Sequence, residues 1–340
     1  MLKVDHVSKI YSTGTFGGKE LRAVNDVTFI VGHGEVVSLI GESGSGKSTI
    51  GKMILRLLPI SSGTIIVDGV DISTLEKGGL KEYYRKVQGV FQDPFSSYNP
   101  IFKADRVFEL IKDEFFPDVN KDEWRARVEK ALRDVGLNPD IVLGKYPHQL
   151  SGGQLQRILI ARALLLNIDL LIADEIISML DASTRIDVLN LLAELKESAG
   201  LSILFITHDL SLGYYISERA VILYGGEIME MGTTDSVFFN PQHPYTQMLM
   251  ACIPRLDQEW EEVNVELKAK QQTLEAGCVY FGRCALADKS LGCDSRRPKL
   301  VDVEDGHAVA CFAVEKKYSL GQWSTQTGQP SFADPLKADD

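Results

Sequence analysis

Hydrophobic and polar residues alternate one for one at the start of the chain, through Lys3, Val4, Asp5, His6 and Val7, and strand-like runs follow at 23–30 and 64–67. A period of two marks half-buried strands, so these runs predict an antiparallel β layer. A different pattern occupies 36–40, 170–173 and 203–206, which are short, rich in β-branched residues and apolar throughout. Strands of that kind are buried on both faces, as in a parallel sheet with helices between its strands. One such helix is expected to carry Ile50, Met53, Ile54, Leu57 and Leu58 on a single stripe and to be closed by Pro59.

Between 95 and 150 the period becomes helical. Asn120 is placed to cap a helix with Glu123 three residues on, and Trp124, Val128, Ala131, Leu132 and Val135 form its apolar face before Gly136. The periodic signal weakens after Pro241, where Pro, Gly and Cys punctuate the chain, and the last twenty residues are polar. These shifts suggest a core over 1–240 with a helical insert at about 95–160, an extension over 241–320, and a loosely held tail at 321–340.

The bulk numbers narrow the function. With 340 residues, 44% hydrophobic and 24% charged, the chain has a globular composition. No stretch of 18 apolar residues occurs, since 158–180 is broken by Arg162, Asp169, Asp174 and Glu175, and the start lacks the apolar segment of a secretory signal. A place in the cytoplasm is expected. A net charge of −11 argues against broad attraction to nucleic acid.

The strand ending at Ile40 runs into Gly41-Glu42-Ser43-Gly44-Ser45-Gly46-Lys47-Ser48, which fits G-x-x-x-x-G-K-[ST] in its strand, loop, helix setting. Glycines let backbone N–H groups face phosphate oxygens, and the helix N-terminus adds partial positive charge. Lys47 is expected to neutralise β- and γ-phosphates and Ser48 to ligate Mg²⁺. The plain alternative is a glycine-rich turn with a solvated lysine, and the features that follow weigh against it. The strand at 170–173 ends in Asp174 and Glu175, at the edge where α/β sheets bind ligands. Asp174 there would hold Mg²⁺ through water, and Glu175 would polarise an attacking water. The strand at 203–206 delivers His208 to the same edge, although a lone histidine is more often structural.

Leu150-Ser151-Gly152-Gly153-Gln154 opens a helix between these two motifs and resembles the signature of ABC ATPases. Gln92 in VFQDPF resembles the Q-loop, Ser178-Met179-Leu180-Asp181 the D-loop, His208 the switch histidine and Tyr11 the adenine-stacking aromatic. The resemblance implies an α/β fold: a P-loop ABC ATPase core with a mostly parallel sheet, an antiparallel β layer, a helical signature subdomain and a small C-terminal cysteine-containing extension. It implies ATP and Mg²⁺ as ligands. Glu175, His208 and Gln92 would serve catalysis, and Ser48 and Gln92 would hold Mg²⁺. Nucleotide contacts would come from Tyr11, Gly41, Ser43, Gly44, Gly46, Lys47, Ser48, Thr49 and Asp174. Ser151, Gly152, Gly153, Gln154 and Asp181 would complete the site of a second ATP-binding subunit, paralogous to this one. Ile176 and Ile177 depart from the pair that often follows the glutamate in the family.

Within that family, VFQDPFSSYNP, NPQHPYTQML and GCVYFGRC resemble the ATPases of dipeptide and oligopeptide importers, over the chain up to about Phe312. That branch implies two transmembrane permease subunits, an external solute-binding protein and a place at the cytoplasmic face of the membrane. Ser-Met-Leu-Asp and ITHDLSLGYYIS resemble instead a branch serving oligosaccharides such as β-glucosides. The soluble ABC ATPases of DNA repair and translation carry long insertions or a second cassette, which this chain does not show.

Cys278, Cys284, Cys293 and Cys311 form C-x5-C-x8-C-x17-C, while Cys252 stands apart and reads as a buried apolar residue. From spacing alone the four suit tetrahedral zinc, an iron–sulfur cluster or plain thiols. The peptide-importer resemblance implies a 4Fe-4S cluster with a structural role, zinc being the alternative.

Overall fold

The computed structural model describes residues 1–12, 20–252 and 276–319. The polar tail expected at 321–340 lies outside them. The chain opens with β1 (Leu2–Ser12), β2 (Glu20–Val31) and β3 (Val36–Ile40), followed by α1 (Lys47–Ile54), β4 (Ser62–Val67) and β5 (Val70–Asp71). Next, α2 (Lys77–Lys86) runs directly into β6 (Val87–Val90), and α3 (Arg106–Phe115), α4 (Lys121–Asp134), α5 (Pro139–Val142) and α6 (Gly152–Leu164) make up the helical insert. The core resumes with β7 (Leu170–Asp174), α7 (Ala182–Ala199), β8 (Ser202–Thr207), α8 (Leu210–Ile216), β9 (Arg219–Tyr224) and β10 (Glu227–Thr233). It ends with α9 (Thr234–Phe239), α10 (Pro244–Ala251), β11 (Val301–Glu304), β12 (His307–Val309) and α11 (Phe312–Ser319).

The alternating runs form the expected antiparallel layer, in the order β2-β1-β4-β5. Leu2 lies opposite Val31 on one side and Val67 on the other. The apolar runs form the centre of a second sheet, in the order β11-β12-β10-β9-β3-β8-β7-β6, in which β9, β3, β8, β7 and β6 are parallel. Their composition follows from burial on two faces. Leu171, Ala173, Ile203 and Phe205 enter one core, shared with α6, α7 and the helical insert, while their neighbours Leu170, Ile172, Leu204 and Ile206 enter another, beneath α1 and the antiparallel layer. Each fully buried Leu, Ile or Phe among them contributes about 1.5–3 kcal/mol relative to exposure.

The helical insert forms as its pattern predicts. Asn120 caps α4 by accepting from the Glu123 N–H at 2.9 Å, and Trp124, Val128, Ala131 and Leu132 are buried. The helix after the phosphate loop is shorter than expected. It stops at Ile54, Arg56 turns to positive φ, and Leu57 is left 56% exposed. The reason lies in α2: the Tyr83 hydroxyl donates to the Ile54 carbonyl and the Tyr84 hydroxyl to the Leu55 carbonyl, so side chains satisfy the end of the helix there. Cys252 also departs from expectation. It follows the last residue of α10 and is exposed, in contact with Met248, so it is not a core residue.

Residues beyond 240 are joined to the main sheet. β12 pairs with β10, Glu230 opposite Val309, and β11 pairs with β12. A third apolar cluster fastens this part to the core, bringing Tyr245 and Tyr280 together with Ile40, Ile222 and Met229.

Candidate functional site

Four element ends meet at the carboxyl edge of the parallel strands. The loop after β3, the segment after β6, the end of β7 and the end of β8 enclose a cavity of about 690 Å³ lined by Gly41, Glu42, Ser43, Gly44, Gly46, Lys47, Ser48, Thr49, Gln92, Glu175 and His208, with Ala23, Ile40 and Leu249 at its margins. The phosphate-loop residues, Gln92, Glu175 and His208 thus come together, although more than 160 residues separate the first from the last in sequence.

Glycine is required at two points of the loop. Gly46 has φ +102° and caps α1, and a Cβ there would lie 2.5 Å from the Ala23 carbonyl. A Cβ on Gly41 would lie 2.1 Å from the Leu223 carbonyl. Lys47 is buried, and its ammonium donates to the Gly41 and Glu42 carbonyls at 2.7 and 2.9 Å. Burial lowers its pKa, opposed by the charges of Glu175, Asp174 and Glu42. The loop therefore curls around a buried cation at a helix N-terminus, a setting that suits phosphate oxygens.

Asp174 is buried at the end of β7 and accepts from the Ser48 hydroxyl at 3.0 Å. Burial raises its carboxyl pKa, with the Ser48 hydrogen bond opposing. Ser48, Asp174 and Gln92 offer hard oxygen donors, the chemistry Mg²⁺ takes beside phosphates. Glu175 follows with φ +50°, a conformation rare outside glycine, and its N–H donates to the Ile206 carbonyl at 2.9 Å as the last rung between β7 and β8. Ile176 and Ile177 are buried in the core beside it, and the Ser178 hydroxyl donates back to the Glu175 carbonyl at 2.9 Å. The two isoleucines at the family's variable positions therefore anchor the strained turn. Glu175 Oε1 lies 3.2 Å from His208 Nδ1, which places a carboxylate and an imidazole at one wall of the cavity.

Other expected site residues lie elsewhere on the chain. Ser151 caps α6, accepting from the Gln154 N–H at 3.2 Å while Gln154 Oε1 accepts from the Ser151 N–H at 2.9 Å. Asp181 caps α7, and hydrogen bonds from the Ser183 hydroxyl and from Thr184 hold its carboxyl well below the usual range. Neither they nor Gly152 and Gly153 line the cavity of their own chain. Tyr11, on β1 under the Lys9 ammonium, is also outside the lining. The signature helix is nevertheless tied to the strand that delivers Gln92: half-buried Arg162 donates to the Gly89 carbonyl, and buried Gln156 to the Phe91 carbonyl.

Contacts to Glu42 from the C-terminal part carry no local sequence signal. The Tyr245 hydroxyl accepts from the Glu42 N–H at 3.0 Å, and Arg283 pairs with the Glu42 carboxylate at 2.8 Å. Beside them, Cys278, Cys284, Cys293 and Cys311 line one apolar pocket with His243, Phe281 and Phe312. Burial pushes the Cys278 and Cys284 thiols up to about 11 and raises that of Cys311. Thiols so disfavoured as thiolates need a strongly cationic centre to become ligands. The four thiols line one pocket, and among the described residues no group of three or more His, Cys, Asp or Glu side chains is placed to hold a metal ion.

Comparison with known proteins agrees with this geometry. Residues 24–178 match the ABC transporter family, and residues 229–293 match the oligopeptide/dipeptide transporter C-terminal region. Oligopeptide transport ATP-binding protein OppF of Salmonella typhimurium is 37% identical over 303 residues, covering 87% of this chain and 89% of that protein. A relative from Sinorhizobium fredii, named "Probable peptide ABC transporter ATP-binding protein y4tS", is 39% identical over 319 residues, covering 92% and 89%. Among solved structures, the ATP-binding cassette MJ0796, as a dimer in a post-hydrolysis state bound to ADP and Pi, aligns with a TM-score of 0.62 and 30% identity over 69% of this chain and 99% of that one. The chain belongs to the ABC transporter ATPases, among the ATP-binding proteins of the oligopeptide and dipeptide type.

Proposed function

We propose that this ATPase powers the import of short peptides, working at the cytoplasmic face of the membrane with two permease subunits, an external solute-binding protein and a second, paralogous ATP-binding subunit. The observation that carries the reading is the peptide-transporter C-terminal region, which covers 229–293 and supplies Tyr245 and Arg283 to the phosphate loop. No helix among the described residues is long and apolar enough to cross a membrane. The peptide reading stands ahead of the oligosaccharide one, because the relatives carry peptide names and a peptide-transporter C-terminal region matches.

In the proposed cycle, Lys47 and the loop amides hold the β- and γ-phosphates, Ser48, Asp174 and Gln92 hold Mg²⁺, and Tyr11 stacks on adenine. Glu175 takes the proton of a water aligned behind the γ-phosphate, and His208 orients both. Positioning and charge do the work, since phosphoryl transfer to water needs no covalent intermediate on the protein. Ser151 and the N–H groups of Gly152 and Gly153, outside their own cavity, form a helix N-terminus suited to the γ-phosphate held by the partner. ATP then joins the two subunits, and loss of the γ-phosphate lets them separate. The four-cysteine pocket is proposed to hold a structural 4Fe-4S cluster, within an extension counted from about 241. Iron and sulfide analysis after anaerobic purification tests it; stoichiometric zinc without iron rejects it.

Uptake of labelled short peptides and labelled cello-oligosaccharides, in cells carrying the native chain or Glu175→Gln, tests the transport reading. Loss of peptide uptake alone is expected. Loss of oligosaccharide uptake in its place would move the chain to the sugar branch, and loss of neither would overturn import.

A further inference from the structure

The phosphate loop contains a carboxylate, Glu42, that lines the same cavity as Lys47. A negative side chain there opposes a triphosphate by like-charge repulsion unless it is neutralised and held. Both conditions are met from the far end of the chain. Arg283 lies 2.8 Å from Glu42 Oε2, and its guanidinium sits over the rings of Tyr224 and Tyr280. Tyr245, fully buried between those two rings, uses its hydroxyl to accept from the Glu42 N–H. One residue of the loop is thus gripped at its backbone and at its side chain, by two groups whose positions the aromatic cluster fixes.

We propose that Arg283 and Tyr245 are positioning residues of the nucleotide site: Arg283 cancels and withdraws the charge of Glu42, Tyr245 fixes the loop amide, and together they set the affinity for ATP. Arg283 belongs to the turn between Cys278 and Cys284, so the cysteine-lined pocket orders the residue that neutralises the loop. The proposal rests on the cavity being the nucleotide site, which binding of Mg-ATP to the native chain checks by itself. Absence of that binding would overturn the site assignment, and with it the proposal.

Calorimetric titration of the full chain with Mg-ATP tests it, using Arg283→Gln, Glu42→Gln, the double variant and Tyr245→Phe. Arg283→Gln is expected to weaken binding by about two- to fivefold, as befits a half-exposed ion pair. The loss should fade at high salt. Its KM for ATP should rise while kcat stays near native. Adding Glu42→Gln to Arg283→Gln should restore affinity, because the uncompensated charge is gone; a purely structural arginine gives no such rescue. Tyr245→Phe keeps the ring and removes the acceptor, and should weaken binding by about three- to tenfold. A folded Arg283→Gln chain with native affinity, or a loss that Glu42→Gln does not relieve, overturns the role of Arg283. If Arg283→Gln does not fold, native affinity in Tyr245→Phe overturns the grip on the loop.

Discussion

At the scale of single residues, the site depends on a glutamate in an unusual place. Glu175 pairs with His208 and holds φ +50° because its N–H completes the β7–β8 ladder and Ile176 and Ile177 are buried behind it. Replacing it with Gln keeps the shape and removes the proposed base. ATP turnover is expected to fall by roughly 10²–10⁴ with ATP affinity retained, read by phosphate release beside equilibrium binding. Residues of this kind are legible in sequence because motif and chemistry coincide: a lysine after glycines, two carboxylates at a strand end, a histidine at the next strand end. Glu42, Tyr245 and Arg283 are not, since a salt bridge spanning 241 positions leaves no periodic or local trace.

At the scale of elements, α10 shows how a short helix can carry a pH dependence. His243 caps it, Nδ1 accepting from the Tyr245 N–H at 3.0 Å, and burial pushes its pKa down to about 3. A depressed pKa means the cap's stabilisation is complete above the ordinary histidine value near 6.5 and is lost as pH falls toward 3. Stability should decline across that window by up to about 1.4 kcal/mol per pH unit. Denaturant melts at several pH values should show the slope flattened in His243→Asn, because asparagine caps a helix without titrating. Nearby, the buried carboxylate of Glu230 accepts from His307 Nε2 at 2.7 Å and from the N–H groups of Gln242 and His243 at 2.7 and 2.9 Å. Glu230→Ala should cost about 3–5 kcal/mol in urea unfolding, since those donors would be left buried. The sequence pattern identified α4 through its cap and stripe, but overran α1 by a turn, because the hydroxyls of Tyr83 and Tyr84 that end it come from another helix.

At the scale of the whole molecule, the large sheet is finished by the end of the chain. β11 and β12 cover the outer edge of β10, and the new edge carries the exposed acidic residues Asp302 and Glu304. Charged residues on an edge strand discourage pairing with another chain, whereas uncovering β10 would bring its buried Ile228, Met229 and Met231 to an open edge. A chain ending at 299 should therefore associate, as light scattering would register. Hydrophobic pattern predicted the antiparallel layer and the central parallel strands but not β11 and β12, because short strands among cysteines and prolines give little alternation to read.

The bridge from Arg283 to Glu42 also bears on biosynthesis. The phosphate loop leaves the ribosome early, whereas its clamp follows 241 residues later, a delay of about 10–50 s at ordinary elongation rates. Until the clamp arrives, the newborn loop bears an unbalanced negative charge and a poor grip on nucleotide. ATP would therefore favour finished chains over incomplete ones, and ribosome-stalled chains halted before 283 should capture it more weakly than chains released at full length.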